Sequence, residues 1–242
     1  MIPQCSVIIP YSNTAEDREA ALNFVHAWWK NNFPEWEVIV SSPVPWAKAI
    51  ACHFGVKQAT YDNIILADAD SFIYEPNGLI EYIQLIESGV AKWVVPHDKV
   101  HRLTEQATQI LYKENLLNIN KTHYPPYMSC FGGGMVLLSK QAWKDSGGMD
   151  VRYIGWGGED RSFGYALETL VGPVYKGHSK LIHLYHDNQG PRNPISKETI
   201  RLIEKYQKAR HRPVLMSRLR DEIRDTLEAR GGDYALSVDW PM

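Results

Sequence analysis

Two short segments carry residue types that could do chemistry together. Gly155-Trp156-Gly157-Gly158-Glu159-Asp160 gathers three glycines, an indole and two adjacent carboxylates. Glycines accept positive φ and let a backbone approach a ligand closely. Trp156 offers a flat apolar floor, and a carboxylate beside it can serve as a general base. Upstream, Ile64-Ile65-Leu66-Ala67-Asp68-Ala69-Asp70 is an apolar run ending in carboxylates at i and i+2, the position at which an open α/β sheet places its ligand. Together the two segments read as a sugar-transfer site.

A divalent cation with oxygen ligands can bridge such carboxylates to a diphosphate and neutralise charge as the diphosphate leaves. His183 and His186, three residues apart after another apolar stretch, can share that cation if their segment is turn-like. Mixed Asp and His ligands suit Mn²⁺ better than Mg²⁺. By itself a carboxylate pair at a strand end is more often a turn with a helix cap, and a lone histidine is more often structural; metal ligation is favoured by finding both pairs in one chain. Asp160 is the candidate base, and Glu159, pointing elsewhere, suits orientation of an acceptor. The plainer reading is that both acids only complement the dipole of a helix through Phe163, Tyr165 and Leu167, although capping and catalysis are compatible.

Phe131-Gly132-Gly133-Gly134 followed by Gly155-Trp156-Gly157-Gly158-Glu159-Asp160 resembles the β-1,4-galactosyltransferase family and its bacterial and phage relatives among GT-A glycosyltransferases. Val7-Ile8-Ile9-Pro10-Tyr11 is similar to their first strand and nucleotide-binding turn, and Asp68-Ala69-Asp70 to their DxD motif. The resemblance runs from about Val7 to His186. It implies that Asp70, His183 and His186 bind the metal and that Asp68 meets the donor's ribose or sugar. Pro10 and Tyr11 would line the base pocket, with Trp46, Ala47, Lys48, Gly133 and Gly134 near the donor. Trp156 would border donor sugar and acceptor, Glu159 would hold an acceptor hydroxyl, and Asp160 would be the catalytic base. Ser12 replaces the arginine usual after the first aromatic, and Arg161 replaces a further acid after Asp160.

Strands and amphipathic helices must position these groups. Ser6 to Ile9 and Val38 to Val40 read as strands, as do Ile64 to Leu66 and Trp93 to Val95. Between them lie a helix carrying Leu22, Val25, Trp28 and Trp29 with a Thr14/Asp17 capping box, one beginning near Trp46 and one after Pro76. This alternation predicts an α/β fold of the GT-A, Rossmann-like type with a mainly parallel sheet flanked by helices. His97 and His101 are expected in a solvated loop, Gly147-Gly148 in a turn, and Tyr124-Pro125-Pro126-Tyr127 in a loop bordering the pocket. After Pro194 the pattern is helical only. Ser196 can cap a helix to about His211, and Pro213 opens another with Leu215, Leu219, Ile223 and Leu227 at i, i+4 spacing, stopped by Gly231-Gly232. The expected division is a catalytic domain over 1–191 and a helical extension over 192–242.

At 242 residues and 44% hydrophobic the chain suffices for one sizeable core, and its mean hydropathy of −0.33 is that of a globular protein. No stretch approaches the roughly 20 apolar residues of a membrane span, a signal peptide is not expected, and Cys5, Cys52 and Cys130 read as reduced thiols of a cytoplasmic protein. From Arg192 to Arg230, eleven Lys and Arg face six Asp and Glu in a chain of net charge −2. The simplest reading is a solvated helix face; an anionic acceptor, a membrane surface or nucleic acid is the minority reading. The sequence therefore predicts a metal-dependent, inverting glycosyltransferase using a nucleotide-diphosphate sugar, with UDP-sugar the expected donor, and a glycan or other hydroxyl acceptor. Alternatives are a retaining GT-A enzyme, a transferase acting on hydroxylated DNA bases, and a non-catalytic sugar-nucleotide or glycan-binding module.

Overall fold

The computed structural model describes residues 2–12, 16–43, 47–128, 132–154, 157–187 and 195–229. Thr14, Trp46, Cys130, Phe131, Gly155, Trp156 and Gly231-Gly232, singled out above, lie outside them. Seven strands form one sheet in the order β2-β1-β3-β6-β5-β7-β4. They are β1 (Ser6–Pro10), β2 (Glu37–Ser41), β3 (Asn63–Ala67), β4 (Ser71–Ile73), β5 (Trp93–Arg102), β6 (Met135–Ser139) and β7 (Tyr175–His183). The helices are α1 (Glu16–Asn32), α2 (Lys48–Gln58), α3 (Gly78–Glu87), α4 (Glu105–Glu114), α5 (Lys140–Ser146), α6 (Glu159–Leu170), α7 (Lys197–Ala209) and α8 (Pro213–Ala229). No described helix is long and apolar enough to cross a membrane.

The parallel arrangement implied by strand–helix alternation holds for β2-β1-β3 and for β5-β7. β6 enters antiparallel to both β3 and β5, and β4 antiparallel to β7, so the sheet as a whole is mixed. The segment between α4 and β6 is long enough to return the chain to either end of the sheet, and alternation then no longer fixes direction.

Strands β1 and β3 are apolar on successive residues because both faces are covered. Val7, Ile9 and Ile65 pack with Val25, Trp29, Phe33 and Trp36 on one side, where Phe33 and Trp36 stack with ring centroids 3.9 Å apart. Ile8, Ile64 and Leu66 pack with α2, α5 and α6 on the other. A Cβ at Gly55 would lie 2.3 Å from Ile8 Cγ2, so this glycine lets α2 rest directly on β1.

His97 and His101 lie within β5 and are buried, 2% and 7% exposed, not in a solvated loop. Pro96 and Asp98 interrupt the apolar run, but the strand continues through two register irregularities, between Val95 and His97 and between His97 and Lys99, the local device by which a sheet tolerates proline and bends. Bending is required. β3 and β4 stand third and seventh in the sheet, yet only Asp68, Ala69 and Asp70 join them. Four inter-strand steps would span about 19 Å in a flat sheet, against a reach of at most about 14 Å for this connection. The sheet therefore curls.

Ser196 caps α7, its Oγ accepting from Thr199 N at 3.0 Å. Leu202, Tyr206 and Ala209 of α7 and Met216 and Leu219 of α8 share a core with Tyr153 and Ala166, so both helices dock on α6. On α8 the buried face runs through Met216, Leu219 and Ile223, and Leu215, expected on it, is 37% exposed.

Candidate active site

The ends of β1, β3 and β7 and the start of β6 meet at one edge of the sheet. Pro10 pairs with Ser41, Ala67 with Met135, and Ser71 with His183. Pro10 and Tyr11, Asp68 to Asp70, Gly132 to Gly134 and His183 are thereby drawn to a common edge, the expected place for a ligand in such a sheet. The Asp68 amide donates to Gly134 O at 3.1 Å, and the Leu184 amide to Asp70 O at 2.8 Å. The carboxylate segment is thus fastened on one side to the glycine turn and on the other to the histidine segment.

Asp70, His183 and His186 converge, with potential ligand atoms all within 4.8 Å of one another. His183 Nε2 lies 3.6 Å from Asp70 Oδ1, and His186 Nε2 3.1 Å from Asp70 Oδ2. Both rings donate through Nδ1 to backbone carbonyls, His183 to Leu184 O at 2.7 Å and His186 to Asp187 O at 2.9 Å. Those bonds turn each Nε2 toward Asp70, where it donates to the carboxylate when protonated and can ligate a metal once that proton is lost. Burial opposes ionisation of Asp70, but His183 and His186 hold its carboxyl well below the usual range. The donor set, two imidazoles and one carboxylate, fits Mn²⁺.

A second cluster lies at the start of α2. Lys48 Nζ is 2.6 Å from Asp68 Oδ1 and 2.9 Å from Asp160 Oδ1. Pro10, Cys52, Gly132, Gly134 and Met149 line the same cleft. Asp160 is the second residue of α6, which begins after Gly157 and Gly158, both at positive φ. A Cβ on Gly132 would meet the Asp160 carbonyl at 2.5 Å, so the glycine turn before β6 sits directly against the start of α6. Burial raises the Asp160 carboxyl to about 7 against the pull of Lys48, with Glu159 and Asp68 adding to the rise. A carboxyl so tuned can exchange a proton near neutrality. Glu159 Oε2 is buried and has no hydrogen-bond partner among the described residues.

Of the residues expected from sequence, the structure brings Lys48, Asp68 and Asp160 into contact, places Pro10 and Gly134 in the same cleft, and gathers Asp70, His183 and His186 into one cluster. Gly133 is buried between the other two glycines, and Tyr11 is buried at the end of β1. Trp46 and Trp156 lie outside the described residues. Sequence reasoning missed Arg18, whose charge on α1 reaches Tyr11, Asp70 and His186, and Tyr112, whose buried hydroxyl has no partner among the described residues and feels the charge of Asp70. No sequence signal marks either, since each arrives from a helix remote in the chain. Some cations of the last helices engage nearby acids, as in Arg210 with Glu168 at 2.7 Å and Arg220 with Asp221 at 3.1 Å.

Residues 114–186, which hold the glycine turn, both acids of α6 and both histidines, match the family model described as the N-terminal domain of galactosyltransferase. The catalytic domain of Drosophila β1,4-galactosyltransferase 7 in complex with xylobiose is similar to this chain at 19% identity and TM-score 0.55, over 84% of this chain and 80% of that one. A variant of the same enzyme in complex with manganese, UDP-Gal and xylobiose is 20% identical with TM-score 0.58, over 84% and 79%. GalNAc-T7 with UDP, GalNAc and Mn²⁺ is 14% identical with TM-score 0.53, over 98% of this chain and 58% of that one. No curated protein sequence matches significantly. The fold is that of these glycosyltransferases, and the likeness to the galactosyltransferase family model is confined to residues 114–186.

Proposed function

We propose that this protein is a metal-dependent, inverting glycosyltransferase that moves a sugar from a UDP-sugar to a hydroxyl acceptor. One observation carries the reading: Lys48 joins Asp160 to Asp68, two residues from the metal-capable Asp70, so that the candidate base stands beside the candidate donor site. That the similar Drosophila enzyme binds manganese and UDP-Gal, and GalNAc-T7 binds UDP and Mn²⁺, supports the choice of donor and ion.

Pro10, Tyr11, Lys48, Gly133 and Gly134 bind the nucleotide and diphosphate, with Asp68 at the ribose or sugar. Asp70, His183 and His186 hold the divalent ion, which when bound neutralises charge on the leaving diphosphate. Glu159, with Trp156, orients the acceptor. Asp160 takes the proton of the acceptor hydroxyl as its oxygen bonds to the anomeric carbon, and the bond to the diphosphate breaks on the opposite face. Attack and departure on opposite faces invert that centre. The last two helices act as an extension of the catalytic domain over 192–242. The buried free thiols Cys5 and Cys52 favour a cytoplasmic setting.

The test is incubation with a panel of UDP-sugars, Mn²⁺ and glycan acceptors, with NMR of the product's anomeric proton. Inverted product is expected. Retained configuration would replace the mechanism, and tight UDP-sugar binding without hydrolysis or transfer would make the protein a binding module.

A further inference from the structure

Lys48 opens α2, where the helix dipole favours acids, and α2 has no acid in its first turn. A cation at the positive end of a helix, largely shielded from water, is unfavourable on both counts. Its partners explain the placement. The ammonium is held between Asp68 on the turn after β3 and Asp160 on α6, 2.6 Å and 2.9 Å away, with the lysine side chain 20% exposed.

We propose that Lys48 is a positioning residue for the transfer step: by bridging Asp68 and Asp160 it fixes the direction of the Asp160 carboxylate and keeps it in the proton-accepting form. This rests on Asp160 being the base. The groups facing Asp160 are Lys48 and the Cys52 thiol on α2, Asp68 after β3, and Glu159 beside it on α6. Burial pushes the Cys52 thiol up, so it stays neutral. Burial, Glu159 and Asp68 all disfavour a charge on Asp160, and Lys48 opposes them. Without the ammonium the same carboxyl would be protonated over more of the neutral range and free to swing from the acceptor.

The experiment titrates the Asp160 carboxyl by ¹³C NMR in the ligand-free protein, wild type against Lys48→Met, and records kcat/KM for transfer against pH in both. Removing an opposite charge at this range moves a carboxyl upward by about one pH unit or more, and the acid limb of the rate profile should move by the same amount. Lys48→Arg, which keeps the charge, should restore both. Should Lys48→Met fail to fold, Lys48→Gln, which keeps a donor but no charge, reads the same displacement. An unmoved titration would overturn the proposal, and so would an unmoved acid limb with a tenfold loss of UDP affinity, which would make Lys48 a donor ligand only. An inactive wild type would overturn the transferase reading alone, because the carboxyl titration reports the bridge without turnover.

Discussion

Tyr206 Oη of α7 donates to Asp150 Oδ2 at 2.9 Å, beneath the last two helices. Asp150 is 2% exposed and also accepts from Arg152 Nε and Nη2 at 2.9 and 2.6 Å, while Arg152 reaches Glu222 of α8. A buried carboxylate thus ties both terminal helices to the segment before α6. Asp150→Ala would leave the guanidinium with Glu222 alone and the buried Tyr206 hydroxyl without its acceptor, and should cost about 3 kcal/mol. Tyr206→Phe removes one bond to a charged acceptor and should cost about 1.5–3 kcal/mol. Urea unfolding measures both. A single transition shared by α7, α8 and the sheet is expected, and a separate early transition would show that the helices fold independently.

Metal dependence is expected to follow the Asp70, His183 and His186 cluster. A chelator should abolish transfer, with Mn²⁺ restoring it best, and Mn²⁺ should raise the melting temperature of wild type but not of His186→Ala. Full turnover in a chelator would rule out the metal assignment.

Asp160→Asn keeps size and most hydrogen bonding but removes the proton acceptor. Transfer should fall by about 10²-fold or more, while UDP-sugar affinity by calorimetry stays close to wild type. Near-normal turnover would reduce Asp160 to a helix-dipole role.

The pH profile follows from the Asp160 carboxyl at about 7. It must be ionised to accept a proton, so kcat/KM should fall as pH drops through about 7 and level off above. Stability runs the other way. A carboxyl whose pKa is raised on folding favours the folded state at low pH, and that contribution is lost as pH rises from about 4 to 7. At pH 8, Asp160→Asn should therefore melt no lower than wild type.

Gly132 has φ +88, and its absent Cβ would lie 2.5 Å from the Asp160 carbonyl. Gly132→Ala should shift the start of α6 and lower transfer more than it lowers stability. Equal activity at equal stability would show that the turn and helix are not coupled.

Much of this was legible in the sequence because it is local. Strand runs, the Ser196 cap, Pro213 at a helix start and the carboxylate and histidine pairs are each set by a few neighbouring residues. What was not legible depends on the sheet. Nothing near Lys48 announces Asp160, and the reading of Lys48 as a donor residue came only from resemblance. Its place as an unbalanced cation at a helix start was the available signal. His97 and His101 looked like loop residues because Pro96 breaks the pattern, and only pairing with β7 reveals a bulged strand. The direction of β6 was equally hidden, since a long connection carries no directional information.

Asp68-Ala69-Asp70 is the seam at which the curled sheet meets itself. The tripeptide closes as a hydrogen-bonded turn, the Ser71 amide donating to Asp68 O at 3.2 Å, so the spacing between the Asp68 and Asp70 carboxylates and the closure of the sheet are one parameter. A residue inserted there would part the two acids and open the seam together. Tolerance to lengthening should thus be lost at this connection, a structural joint whose tightness sets the reach between the Lys48 bridge and the histidine cluster.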